Sequence, residues 1–264
     1  MIKREFKVNL KSFIIWLSIL IVMFLFVYMV YPYIITEDSI NQMDELMKVF
    51  PPEILKAFNM DMDSITTAFG WVKSEGLIFA FLLLGIFAAN LGGNILLKEE
   101  SDKTIEYLGT VPITRSRIIT NKIIVSLTYI ISTVLIFGIF NYICLTISGD
   151  FNHKQFFLLF TSPIFVLLPL FAISLFISTF FHKNKTSIGI SLGLVFISYV
   201  LNILSELSDK VEFLKYFSLN TLADLRNIIS NVEYNYVCAI ISLCITVVFI
   251  VATYIRYNKK ELLD

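Results

Sequence analysis

Six long apolar runs divide this sequence, near residues 12 to 34, 77 to 97, 118 to 147, 156 to 181, 186 to 205 and 236 to 255. Each can cross a hydrocarbon layer about 30 Å thick, which takes about 20 helical residues. A soluble helix keeps one polar face, and these runs are polar on none. The expected fold is therefore all-α: a polytopic membrane protein with six transmembrane helices in a single transmembrane domain over residues 1–264. Composition agrees, with 57% hydrophobic residues, 16% charged residues and a mean hydropathy of +0.79. The third run is long enough for its first turn to protrude from the membrane. Only His182, Lys183, Asn184 and Lys185 separate the fourth and fifth, a turn that fits a tight helical hairpin.

Charge counting orients the spans. With the N-terminus in the cytoplasm, 14 of the 21 basic residues fall on the inner side and 14 of the 21 acidic residues on the outer side. The zero net charge is thus split by the membrane with the positive side inside, and both termini are expected in the cytoplasm. With Lys122 assigned to the protruding turn of the third run, no Asp, Glu, Lys, Arg or His lies within a span. Ion-coupled carriers place such groups at membrane depth, so an energy source outside the membrane is favoured.

The chain does not supply that source. It has no Gly-Lys dipeptide and so no phosphate loop for nucleotide. Two histidines, His153 and His182, make neither a metal cluster nor a nucleophile–base pair. No catalytic residue, metal site or cofactor is expected. Cys144, Cys238 and Cys244 lie in predicted spans and read as small packing residues. No cleavage site of small residues follows the first run, so that run is expected to persist as a helix.

Residues 2 to 13 are two-sided at helical spacing. Ile2, Phe6, Leu10 and Phe13 share one face; Lys3, Arg4, Lys7 and Lys11 share a neighbouring one. The pattern predicts an N-terminal amphipathic helix along the inner membrane surface, whose basic residues either set topology or dock a partner.

The second charged block, residues 98–117, separates the second and third spans. Ser101 is placed to cap a short helix to about Leu108, with Asp102 and Glu106 on one face and Ile105 and Leu108 as an apolar patch. Gly109 and Pro112 end it, and Thr114 can cap the third span. Arg115, Arg117 and Lys122 oppose the dipole at that helix start, so topology or an acidic partner must account for them.

Glu100, Thr104, Leu108, Pro112, Arg115 and Lys122 resemble the pattern after the second span in membrane subunits of type-2 ATP-binding-cassette (ABC) transporters. The basic start, the six spans, the long outer loop after the first span and the tail from Arg256 to Asp264 extend the resemblance to the whole chain. One departure is Lys103, where many members have Gly before the Thr. The resemblance implies a cytoplasmic coupling helix seated in a cleft of a nucleotide-binding subunit, with Glu100, Thr104, Tyr107, Leu108, Pro112 and Arg115 as coupling residues. It implies cytosolic ABC ATPase subunits that carry ATP and magnesium, a second permease copy (homodimer or homologous partner), membrane lipids as surroundings, no nucleic acid, and a multi-pass protein of the bacterial plasma membrane. Cargo would be a drug, antimicrobial peptide or lipid-like compound. Sodium or other ion efflux on the same architecture, and a scaffold or sensor without transport, are the other readings.

Gly85, Ala89 and Gly93 recur every four residues on the second span, and Gly189 with Gly193 form G-x-x-x-G on the fifth. Such spacing lets helices approach closely, within the chain or between two copies. Asn90 and Asn94 on the second span, and Ser198 and Asn202 on the fifth, need polar partners or a translocation path. Pro163 and Pro169 are expected to kink the fourth span. Outer segments 36–76 and 206–235 are expected to hold short surface helices, and the resemblance suggests that those in the second dip back into the membrane as a lid or as padding.

Overall fold

A computed structural model describes residues 2–34, 48–49, 51, 67–101, 114–207 and 209–260. Six helices are long and apolar enough to cross a membrane: Ile2–Tyr33, Leu77–Ile95, Arg115–Ser148, His153–Ser178, Asn184–Leu207 and Tyr236–Lys259. No strand occurs among the described residues. Polar caps begin three of these helices: Thr114 accepts from Arg117 N, Asn152 from Gln155 N and Asn235 from Val237 N. Gly149, at φ 144°, ends the third span in a backbone region that L side chains rarely enter.

The N-terminal segment is not a separate interfacial helix. Residues 2–34 form one unbroken helix, because no Gly or Pro precedes Pro32 to break it. Its inward face also differs from the expected stripe. Glu5 and Asn9 are buried while Ile2 and Leu10 are exposed; Phe6 and Phe13 pack on Tyr129 at centroid distances of 5.4 and 4.8 Å.

The two prolines of the fourth span behave differently. At Pro163 the helix is interrupted, His153–Thr161 being followed by Ile164–Ser178. Pro169 lies buried within the second piece without ending it. It cannot donate to the carbonyl of Phe165, and Ser242 Oγ of the sixth span does so instead, at 2.6 Å.

The second and fourth spans form the centre of the bundle, and small residues set their separation. A Cβ built on Gly92 would lie 2.5 Å from Phe171 O, so only glycine fits there. Gly85 meets Val195 and Leu170, Gly93 meets Ser191 and Ile188, and Ala89 is fully buried. Around Gly189 and Gly193 of the fifth span no described atom lies within 4 Å of such a Cβ.

Of the outer segments, residues 68–76 form an α-turn capped by Thr67 and a π-turn that leads into the second span. Asp209–Phe217 and Asn220–Ala223 are 3₁₀ turns, and Leu225–Asn231 is a short α-helix. Residues 36–47, 50 and 52–66 of the first outer segment lie outside the described residues.

Candidate functional site

Both described chain ends meet at one end of the bundle, around a four-residue helix, Lys98–Ser101. The short helix expected from Ser101 to about Leu108 lies outside the described residues beyond Ser101 itself. Ser101 closes a turn that begins at Lys98, its N donating to Leu97 O at 2.8 Å. The turn carries two adjacent carboxylates, and each is drawn into a different buried ion pair.

Glu99 is paired with Lys122, whose side chain is only 1% exposed. Lys122 Nζ lies 2.8 Å from both Glu99 carboxylate oxygens, 2.6 Å from Ile95 O and 3.4 Å from Glu5 Oε2. These partners match the three donors of an ammonium, which is the condition for burying one at all. Lys122 is therefore not a solvated residue of a protruding turn: it lies inside the bundle, where it joins the first helix, the end of the second span and the start of the third. Asn9 Nδ2 donating to Glu5 O and Tyr129 OH donating to Phe6 O add to the same seam.

Glu100 points the other way, with 2% of its side chain exposed. Lys260 Nζ donates to its two oxygens at 2.9 and 3.1 Å and to Phe181 O at 2.6 Å. His182 Nδ1 is 3.0 Å from Glu100 Oε2. Burial pulls the Lys260 ammonium below its usual pKa, against the opposing pull of Glu100. Arg115 completes the arrangement by donating to Lys260 O at 2.7 Å and Asn258 O at 3.4 Å, carbonyls at the open C-terminal end of the sixth span.

Of the six expected coupling residues, Glu100 faces inward, and Arg115, itself exposed, is linked to it through Lys260. Thr104, Tyr107, Leu108 and Pro112 lie outside the described residues. The four polar span residues lie towards opposite ends of the bundle. Asn94 Oδ1 accepts from Asn184 Nδ2 at 3.2 Å near the junction, and Asn90 is half-buried one turn away. At the opposite end, Ser198 Oγ accepts from Leu219 N at 2.8 Å and Ser218 Oγ donates to Ser198 O at 2.6 Å. Asn202 accepts from Thr221 Oγ1 at 3.2 Å and borders a cavity of about 290 Å³.

Sequence reasoning missed Glu5, Glu99, Lys260 and Gly92. One signal was available: Glu5 is the sole acidic residue before Glu37, set among four basic ones. An acid in that position argues for a buried partner rather than for topology.

A helical chain with six apolar spans, in which buried ion pairs at one end tie separate helices together, is a multi-pass membrane protein. The family described as "ABC-2 family transporter protein" matches residues 1–262, and the chain belongs to it. It is a membrane permease component of an ABC transporter, a transport component rather than a catalytic subunit. No curated protein and no solved structure matches the chain.

Proposed function

We propose that this chain forms, as a dimer, the translocation path of an ATP-driven exporter of the bacterial plasma membrane, with both termini in the cytoplasm. ATP and magnesium act on separate ATPase subunits that engage residues 98–117. The observation that carries this reading is the double tie at Glu99 and Glu100. Through these two carboxylates, force applied after Ser101 reaches the first and third spans by way of Lys122, and the sixth span and the turn between the fourth and fifth by way of Lys260. Such a junction suits a segment that transmits a stroke, since every helix end it holds must move with it or release it.

The open surface at Gly189 and Gly193 supports contact with a second copy on the fifth span. The apolar spans favour a drug, an antimicrobial peptide or a lipid-like cargo. Sodium or other ion efflux has one observation in its favour: the buried hydroxyls of Ser174, Ser187 and Ser191 have no hydrogen-bond partner among the described residues, and hydroxyl oxygens bind hard cations.

Reconstitution tests the proposal. The chain, copurified with its ATPase into proteoliposomes, is expected to move cargo only with ATP and magnesium, and sodium flux measured in parallel separates the two cargo readings. A scaffold or sensor would hydrolyse no ATP in response to any cargo and move none.

A further inference from the structure

The cavity of about 290 Å³ at the bundle end opposite the termini has a built two-sided character. Phe81 of the second span, Tyr199 and Ile203 of the fifth, and Leu225 give it an apolar wall. Glu206, at the end of the fifth span, and Arg226 of the short helix Leu225–Asn231 give it a charged one.

The other charges on the lining are already matched. Glu212 and Lys215 pair with each other at 2.6 Å. Asp224 caps its helix by accepting from Asn227 N through Oδ1 and accepts from Asn235 Nδ2 through Oδ2 at 2.8 Å. Glu206 is different. Its side chain is 23% exposed, and its ionic partner, Arg226 Nη2, stays at 3.6 Å, beyond hydrogen-bond reach, on a side chain 57% exposed. Glu206 thus has the Asn202 amide as a neutral hydrogen-bond partner but no cation within hydrogen-bond reach, so the site favours positive charge beside apolar surface.

We propose that this cavity binds a small amphipathic organic ammonium, whose head displaces Arg226 from Glu206 and whose apolar body lies against Phe81, Tyr199 and Ile203. A primary ammonium can donate to Glu206 at ordinary hydrogen-bond distance, which Arg226 does not do here. The volume is at the small end of ligand sites, which excludes long lipids and large peptides. That the ligand is cargo leaving the transporter rests on the exporter reading; that it binds does not.

The test uses the purified full chain in nanodiscs, without ATPase, and dansylcadaverine, a primary ammonium whose fluorescence shifts to the blue in apolar surroundings. Saturable blue-shifted binding is expected, above the partitioning into empty nanodiscs. The N-acetylated, uncharged probe is expected to show partitioning alone. E206Q should weaken binding at least tenfold, and R226A should tighten it several-fold by removing the competing cation. Ile203→Trp should abolish binding by filling the cavity with Glu206 left in place. Binding unchanged in E206Q, weakened in R226A, or equal for the acetylated probe overturns the proposal; if E206Q fails to fold, the R226A and I203W results decide alone. Binding found in a chain that shows no ATP-driven transport would overturn the exporter reading and leave the site intact.

Discussion

Lys260 Nζ stands 2.9 Å from Glu100 Oε1, so the last described residue of the chain is bonded to the turn that leaves the second span. Both side chains are almost fully buried, at 6% and 2% exposure. A pair of this kind costs desolvation to form, yet breaking it from one side is worse, because a charge stays buried without its partner. E100Q and K260M are each expected to destabilise the protein by about 3 kcal/mol. The double variant should recover about 1 to 3 kcal/mol of the summed loss. Thermal unfolding in nanodiscs of all four proteins measures this; strictly additive losses would show that the pair is not coupled.

K122M leaves Glu5 and Glu99 facing each other without their shared cation. A loss of about 3 to 5 kcal/mol is expected, enough to lower the amount of folded protein in the membrane. K122R should not rescue it, because Ile95 O, 2.6 Å from Nζ, leaves no room for a guanidinium fork. The neutral triple variant E5Q/E99Q/K122M should be more stable than K122M, as read by fluorescence-detected size exclusion after heating.

Gly92→Ala places a methyl 2.5 Å from Phe171 O. Backbone cannot rotate away as a side chain can, so the second and fourth spans must separate, at about 1 to 3 kcal/mol. Gly189→Ala should leave the melting temperature of the single chain unchanged, since no described atom of a neighbouring element lies within 4 Å of the added methyl. If two copies meet on that face, G189A shifts self-association alone, which analytical ultracentrifugation in detergent resolves.

Ser242→Ala removes the donor that serves Phe165 O and should cost about 1 to 3 kcal/mol. Pro169→Ala restores a backbone N–H to the same carbonyl. In that background S242A should cost much less, and a double-mutant cycle on unfolding reads the difference. An equal cost in both backgrounds would show that Ser242 matters for packing rather than for this carbonyl.

The spans were legible because burial in lipid demands about 20 apolar residues at a stretch, a demand that leaves its mark residue by residue. Helix starts at Thr114 and Asn235 follow local rules too, Thr114 being readable in advance. What was not legible depends on pairs far apart in the chain. Lys122 looks the same in a sequence whether it is solvated or bonded to Glu5, 117 positions away. Ser242 gives no sign that it serves a carbonyl on another helix. The unbroken first helix was misread because its basic residues suggested an interface, whereas the absence of any breaker before Pro32 decided the matter. Of the expected coupling residues, Glu100 was named for its place in a motif, but its inward direction was not legible, since that depends on Lys260.

If residues 98–117 receive the stroke of an ATPase, site-directed photocrosslinking will trap the two together. A benzophenone amino acid is placed in turn at Thr104, Tyr107 and Leu108 in native membranes, and the adducts are identified by mass spectrometry. At least one position is expected to crosslink to an ATP-binding-cassette subunit, with a yield that changes when ATP is bound but not hydrolysed. Adducts free of any ATPase at all three positions, in membranes where ATP-driven transport by this chain persists, would contradict it.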